Sequence, residues 1–334
     1  GITWNGVPFD IYPKNRTYNA NIGDTDNFRQ SHIQANYIHD FGYGLSWNTT
    51  LNYTDGYGYY DISKERDALD NGLWVLRSQL DLHNRIGTFS AGPYISDYRG
   101  NHNGSSYDNN SRKQELNFYA RAEVGLSPAI ILYGDIQYRG IKYGMHGPDE
   151  YSRTLDFDLT YDFLNPRAGV TWLLSDRHKF FTSIAYGNRE PSRADLQASP
   201  LVRPEHMIDW ETGFERAGRL YSSSLVFYLM NYSDMLIETG YLDDSGYAIK
   251  TNIPRGYRRG LEWTGRLSIA KFFTFEHNLT ISSNRTSEGR DILLSPSAMG
   301  MIGFIIRSPF GTELDIHHKF VGKQYWDNSG NPEH

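Results

Sequence analysis

The sequence predicts an all-β protein, an antiparallel transmembrane β-barrel wall of about 14 strands. Three observations carry that prediction. Apolar and polar residues alternate at the strand period along most of the chain. Short and long connections between those segments alternate from start to end. Helix-period patterns are almost absent, and no stretch approaches the ~18 consecutive apolar residues that would mark a membrane helix.

The alternation is clear in each segment. Leu45, Trp47, Thr49, Leu51 and Tyr53 oppose Ser46, Asn48, Thr50 and Asn52. Leu116, Phe118, Ala120, Ala122 and Val124 oppose Asn117, Tyr119, Arg121 and Glu123. In "TLDFDLTYDF" (154–163), Leu155, Phe157, Leu159, Tyr161 and Phe163 share one side, with Asp156, Asp158 and Asp162 on the other. A charge facing lipid near the bilayer midplane costs about 2–4 kcal/mol for Lys or Arg and less for an acid. The expectation is therefore that the apolar side of 154–163 meets lipid and its acids meet a wet lumen. "FTFEHNLTI" (273–281) and "GTELDIHHKF" (311–320) repeat the pattern with Glu276, Asn278, Glu313, Asp315 and His317 on the polar side.

Tight connections fall near 40–42, 83–87, 127–129, 175–178, 216–219, 270–272 and 308–311. Longer polar ones fall at 54–72, 96–114, 140–153, 188–206, 240–259 and 285–295. Seven short and six long connections separate 14 strands. A barrel with short periplasmic turns on one rim and long extracellular loops on the other has this rhythm. A sandwich has no reason to place every long loop at one end, and a propeller would repeat a motif per blade. The two short helical candidates, 63–69 and 192–198, are expected to be loop turns.

Composition narrows the function. The formal charge of −6 over 334 residues is mild and dispersed, which excludes a nucleic-acid-binding surface. The 25 Tyr residues suit positions with one apolar and one wet end, as at membrane interfaces. With no Cys there are no disulfides, thiolate metal sites or Cys nucleophiles. His317 and His318 are adjacent, and His32 and His39 lie seven apart, so neither pair shares a strand face or a metal. The acidic stretches 107–112 and 242–247 lack EF-hand spacing and are expected to be turns. No Ser sits in a nucleophile elbow, and Asp156 and Asp158 are better explained as a solvated wall than as an acid–base pair. No enzyme, catalytic residue or cofactor is expected.

The long connections hold the binding candidates: Tyr57, Tyr59 and Tyr60; Tyr98, Arg99, His102 and Tyr107; Arg189 and Arg193; Arg255 and Arg258. Arg and aromatic groups together can grip an anionic, ring-bearing ligand by charge-assisted hydrogen bonds and stacking. The plainer account is an interfacial aromatic girdle with Arg residues paired to neighbouring loops or to lipopolysaccharide.

Several segments carry a family resemblance. "FLNPRAGVTWLLSDRHKFFTSIAYGNREPSRADL" (163–196) resembles the strand–turn–strand of TonB-dependent outer-membrane receptors, ending in "REPSR". "RPEHMIDWETGFE" (203–215), "TNIPRGYRRGLEWTG" (251–265) and "KFVGKQYWDNSGN" (319–331) follow in the family's order. "TWNGVPFDIYPKNRTYN" (3–19) and "TDNFRQSHIQANY" (25–37) are similar to its early barrel in the version common in Bacteroidetes. The resemblance implies a bacterial outer-membrane barrel of about 22 strands closed by an N-terminal plug. Residues 1–334 would then be an internal part of that one barrel domain, with the plug, the TonB-contacting box and the closing strands outside the chain. It implies TonB-energised uptake of a scarce small extracellular ligand, first a ferric siderophore or similar metal chelate, otherwise cobalamin or a glycan. A passive porin-type channel is the rival reading, with outer-membrane lipid and lipopolysaccharide as surroundings in either case.

Overall fold

In the computed structural model, residues 7–19, 22–62, 64–105, 107–149, 153–199, 201–242, 248–326 and 328 are described. The segments of 1–6, 243–247 and 331–334, which include most of one acidic stretch and the "NPEH" end, lie outside the described residues. The strands are β1 (Asp26–Gly42), β2 (Leu45–Ile62), β3 (Glu65–His83), β4 (Gly87–Asn103), β5 (Asp108–Ser127), β6 (Ile130–Pro148) and β7 (Thr154–Ser175). After them come β8 (His178–Arg189), helix α1 (Arg193–Ala198), β9 (Glu205–Arg216), β10 (Tyr221–Leu242), β11 (Ala248–Ala270), β12 (Phe273–Thr286), β13 (Ala298–Arg307) and β14 (Glu313–Val321). Each strand pairs with its sequence neighbours in one 14-stranded sheet, in chain order. The seven tight turns fall where the sequence places them. At the first, Gly42 takes a positive φ of 79°, a conformation that costs glycine nothing.

The packing divides into two units. One comprises 1–81, 91–118 and 138–162, the other 82–90, 119–137 and 163–334. In the second, the ladders fix which side is which. Trp172 pairs with Phe180, Phe180 with Phe214, Phe214 with Leu225, Leu225 with Trp263 and Trp263 with Leu279. The row continues through Gly300 to Phe320. One residue along, the adjacent row reads Leu173, Lys179, Glu215, Ser224, Thr264, Asn278, Met301 and Lys319. Lys179 and Glu215 form an ion pair there at 2.9 Å. Large aromatic and aliphatic side chains in the first row stand exposed, which a water-facing surface does not tolerate over such a width. That row is the lipid face, and a slip of one residue would exchange it for charge. Gly300 keeps the row's close approach: a Cβ there would come within 2.5 Å of the Asn278 carbonyl oxygen and 2.8 Å of the Phe320 ring.

The expectation for 154–163 is corrected. The Asp156 and Asp158 side chains are 80% and 83% exposed, whereas Leu155 is 6% exposed. Further along the same strand, Leu164, Trp172 and Leu174 lie on the acids' side, so the acids share the lipid side of β7, and the apolar residues take the other. There Phe157 meets Tyr143 edge-on at 6.1 Å. The reason is length. A tilted strand needs only about 9–11 residues to cross the hydrocarbon, but β7 has 22. About half of its length is therefore free to stand beyond the bilayer, where acids can face water on the outer side.

The long connections are corrected for the same reason. β2 and β3 run into 54–72, β4 and β5 into 96–114, β6 into 140–153 and β10 and β11 into 240–259. In these segments the backbone ladder continues while the outward side no longer needs apolar residues, and the other side is packed: Ile141, Tyr143 and Met145 are buried there. Arg29 still pairs with Tyr57 and Asp26 with Tyr60. Of the two short helical candidates, 65–69 belongs to β3, and 193–198 is helix α1 rather than a turn. Ser192 and Asp195 close a reciprocal capping box on α1.

Candidate ligand-facing surface

Strand parity decides what each candidate residue can reach. On β11, Leu261 and Trp263 mark the lipid side, so Arg255 shares that side and Arg258, three positions on, takes the opposite one. Arg258 pairs across the ladder with Met230 and donates to Ser295 Oγ at 2.8 Å. On β8, Phe180 and Ile184 face lipid, which turns Arg189 inward. Its guanidinium lies 3.2 Å from Glu205, and Glu205 also accepts the Leu236 backbone N–H at 2.9 Å. Tyr232 stands within the fields of Arg258, Glu205, Asp209 and Arg189. Two of the sequence-derived candidates, Arg189 and Arg258, thus share the inner side of the wall with Tyr232.

Helix α1 sits beside them in chain order and has its own lock. Burial pushes the Asp195 carboxyl up, but the ion pair with Lys250 at 2.9 Å and the Ser192 hydrogen bonds outweigh it and hold the pKa below the usual carboxylate value. Arg193 donates to Gln197 on the same helix at 3.3 Å.

In the other unit the candidates separate. Tyr57 and Tyr59 continue the Trp47, Leu51 and Tyr53 side of β2, while Tyr60 faces the opposite way. The Arg66 guanidinium lies 3.7 Å from the centre of the Tyr59 ring and 2.9 Å from Asp61. With the Thr25 hydroxyl, Arg66 draws the Asp61 carboxyl down to about 2. Tyr98 and His102 share one side of β4, and Arg99 takes the other, beside Asp97 at 3.4 Å. Tyr107 donates its hydroxyl to Asp67 at 2.8 Å.

Sequence reasoning missed Tyr232, Glu205 and the Asp195–Lys250 lock. The Ser-x-x-Asp spacing at 192–195 was a usable capping signal. The other contacts need the ladder register, which the sequence alone does not supply. Among the described residues no group of three or more His, Cys, Asp or Glu is arranged to hold a metal.

The wall assembled above has close parallels. The alcaligin outer membrane receptor FauA from Bordetella pertussis superposes with a TM-score of 0.72 at 12% identity, covering 90% of this chain and 55% of its own. The copper transporter OprC gives 0.75 at 10% identity, covering 87% and 52%. The ferric yersiniabactin uptake receptor FyuA from Yersinia pestis gives 0.70 at 13%, covering 92% and 52%. At these identities the likeness shows the fold, and the chain spans about half the length of the structures it matches. No protein of curated function matches it in sequence. The model of the family described as TonB dependent receptor-like, beta-barrel, matches residues 1–333. With lipid-facing ladders and this match over nearly its whole length, the chain belongs to the TonB-dependent receptor β-barrel family of the bacterial outer membrane.

Proposed function

We propose that the chain forms wall and rim of a receptor that imports a scarce extracellular ligand with energy delivered through TonB. In this reading residues 1–334 are part of one barrel domain, and the plug that closes it belongs to sequence outside them. The observation that carries the proposal is the family match over 1–333, joined to the inward placement of Arg189, Arg258 and Tyr232 by strand parity. Two guanidiniums and a phenol on a wet wall suit an anionic, ring-bearing chelate. A ferric siderophore is the ligand class we favour, and several neighbours in fold bear names of that kind, among them a ferric-catecholate import receptor and a ferric citrate transporter. Tyr60, Tyr98 and His102 line the opposite side of their strands from Tyr57, Tyr59 and Arg99 and are proposed as further inward contacts.

The test is uptake of radioactive iron by cells carrying the receptor, supplied as citrate, catecholate and hydroxamate chelates, with and without TonB. Import of one chelate that ceases without TonB and falls about a hundredfold in Arg189→Ala/Arg258→Ala is the expected result, a loss of two charge-assisted contacts' worth of affinity. Import that persists without TonB would mean a passive channel.

A further inference from the structure

Beyond its last pair, His206 with Ser233, the β9–β10 ladder stops and side chains take over. Asp234 has a φ of 50°, in the left-handed region, which breaks the extended run there. In ladder order β10 lies between β9 and β11. Arg203, just before β9, nevertheless bonds straight to β11. Its backbone N–H donates to Asn252 Oδ1 at 2.7 Å, and Asn252 Nδ2 donates to its carbonyl at 2.9 Å. The same Nδ2 donates to the Asp234 carbonyl at 2.7 Å, and the Arg203 guanidinium reaches the Asp234 carboxylate. Two positions away on β11, Lys250 holds Asp195 of helix α1 at 2.9 Å. Lys250 and Asn252 share the strand parity of Arg258, which is the inner side. Leu236, the ladder partner of Asn252, is buried, as are Leu196 on α1 and Val202. Helix α1 and residues 201–203 therefore form a strap across the inner side of β10, fastened to β11 at two points.

The strap starts and ends at a ligand-facing pair. Arg189 closes β8 and Glu205 opens β9, and the two are partners in the β8–β9 ladder, with side chains 3.2 Å apart. Glu205 also accepts the Leu236 N–H at 2.9 Å, beyond the point where the β9–β10 ladder stops. Whatever fixes residues 201–203 thus fixes the carboxylate that aims the Arg189 guanidinium. We infer that Asn252 and Lys250 are positioning residues for ligand capture: they pin the strap, and the pinned strap holds Glu205 and through it Arg189. Asn252 carries most of this, because its three hydrogen bonds replace backbone pairs that Asp234 interrupts. Neither residue touches ligand itself. The inference rests on the reading of Arg189 as a ligand contact.

Uptake of radioactive iron is measured against concentration in cells carrying the full receptor, using the citrate, catecholate or hydroxamate complex that it imports. Barrel assembly is checked by heat-modifiable gel mobility. Asn252→Ala is expected to raise KM about tenfold, the worth of one charge-assisted contact, with the maximal rate unchanged. Asn252→Asp, which keeps only the bond from the Arg203 N–H, should fall between, and Lys250→Arg should keep the native KM. In an Arg189→Ala background, Asn252→Ala should add less than about twofold, because it acts through that guanidinium. Hydrogen exchange at the Arg203 amide of the purified receptor should quicken about tenfold in Asn252→Ala. An unchanged KM in Asn252→Ala, a full tenfold addition to Arg189→Ala, a loss in maximal rate instead, or unchanged exchange at Arg203 would each overturn the inference. An unchanged KM in Arg189→Ala marks the other failure: it would overturn the ligand role of Arg189, and the inference with it, while quickened exchange at Arg203 would still show the strap pinned by Asn252.

Discussion

His146 and Asp195 show how single charges hold the parts of this wall that stand outside the bilayer. The hydrogen bond to Asp156, reinforced by Asp158, raises the His146 pKa. Its stabilising effect is therefore complete below the ordinary imidazole value of about 6.5 and is lost as pH rises through the raised one. Carbon-13 NMR of labelled histidine should show this residue titrating late, and Asp156→Asn should return it towards the ordinary value. A titration unmoved by that change would remove the pair from the account. Asp195 has the opposite sign. Its lowered pKa means its contribution is present above the ordinary value of about 3.9 and is lost as pH falls through the folded one. Asp195→Ala removes both the Lys250 pair and the side-chain half of the capping box, which should cost about 1–3 kcal/mol in the local opening of α1. Hydrogen exchange at the Leu196 amide, which donates to the Ser192 carbonyl, reads that directly.

The strand is where the sequence is most legible and also where it misleads. Within the bilayer one side must be apolar, so Leu261, Trp263 and Leu267 on β11, set between Glu262, Thr264 and Arg266, announce their face without help. Beyond it the requirement lapses, and "TDGYGYYD" continues β2 while looking like a loop. The segment 154–163 misleads differently: its alternation is real, but burial of Leu155 and Phe163 on the inner side, not lipid, is what it encodes. Arg189 and Arg258 could be named from residue type, yet their placement on the inner side, against Glu205 and Ser295, depends on registers set by strands far apart in sequence. Substitutions on one strand separate its two faces. Trp263→Arg should cost about 2–4 kcal/mol of folding free energy in vesicles, and Thr264→Arg, one residue along, less than about 1 kcal/mol. Gly300→Val should impair assembly by a separate route, because the Asn278 carbonyl 2.5 Å from the new Cβ belongs to backbone and cannot swing aside. A denaturant titration that ranks Trp263→Arg and Thr264→Arg alike would contradict the face assignment.

For the molecule as a whole, a single continuous antiparallel sheet carries two kinds of surface along its outer side: an apolar row that meets hydrocarbon, and a charged extension beyond it. The absence of Cys makes this measurable by single-cysteine spin labelling without a background. Nitroxides are placed at Phe214, Leu225 and Trp263, at Glu215, Ser224 and Thr264, and at Asp156 and Asp158, in the receptor reconstituted into lipid vesicles. The account predicts that oxygen relaxes the first three and a water-soluble nickel chelate does not, that the reverse holds at the next three, and that the chelate also reaches Asp156 and Asp158. Chelate access at Leu225 and Trp263 equal to that at Ser224 and Thr264 would contradict it.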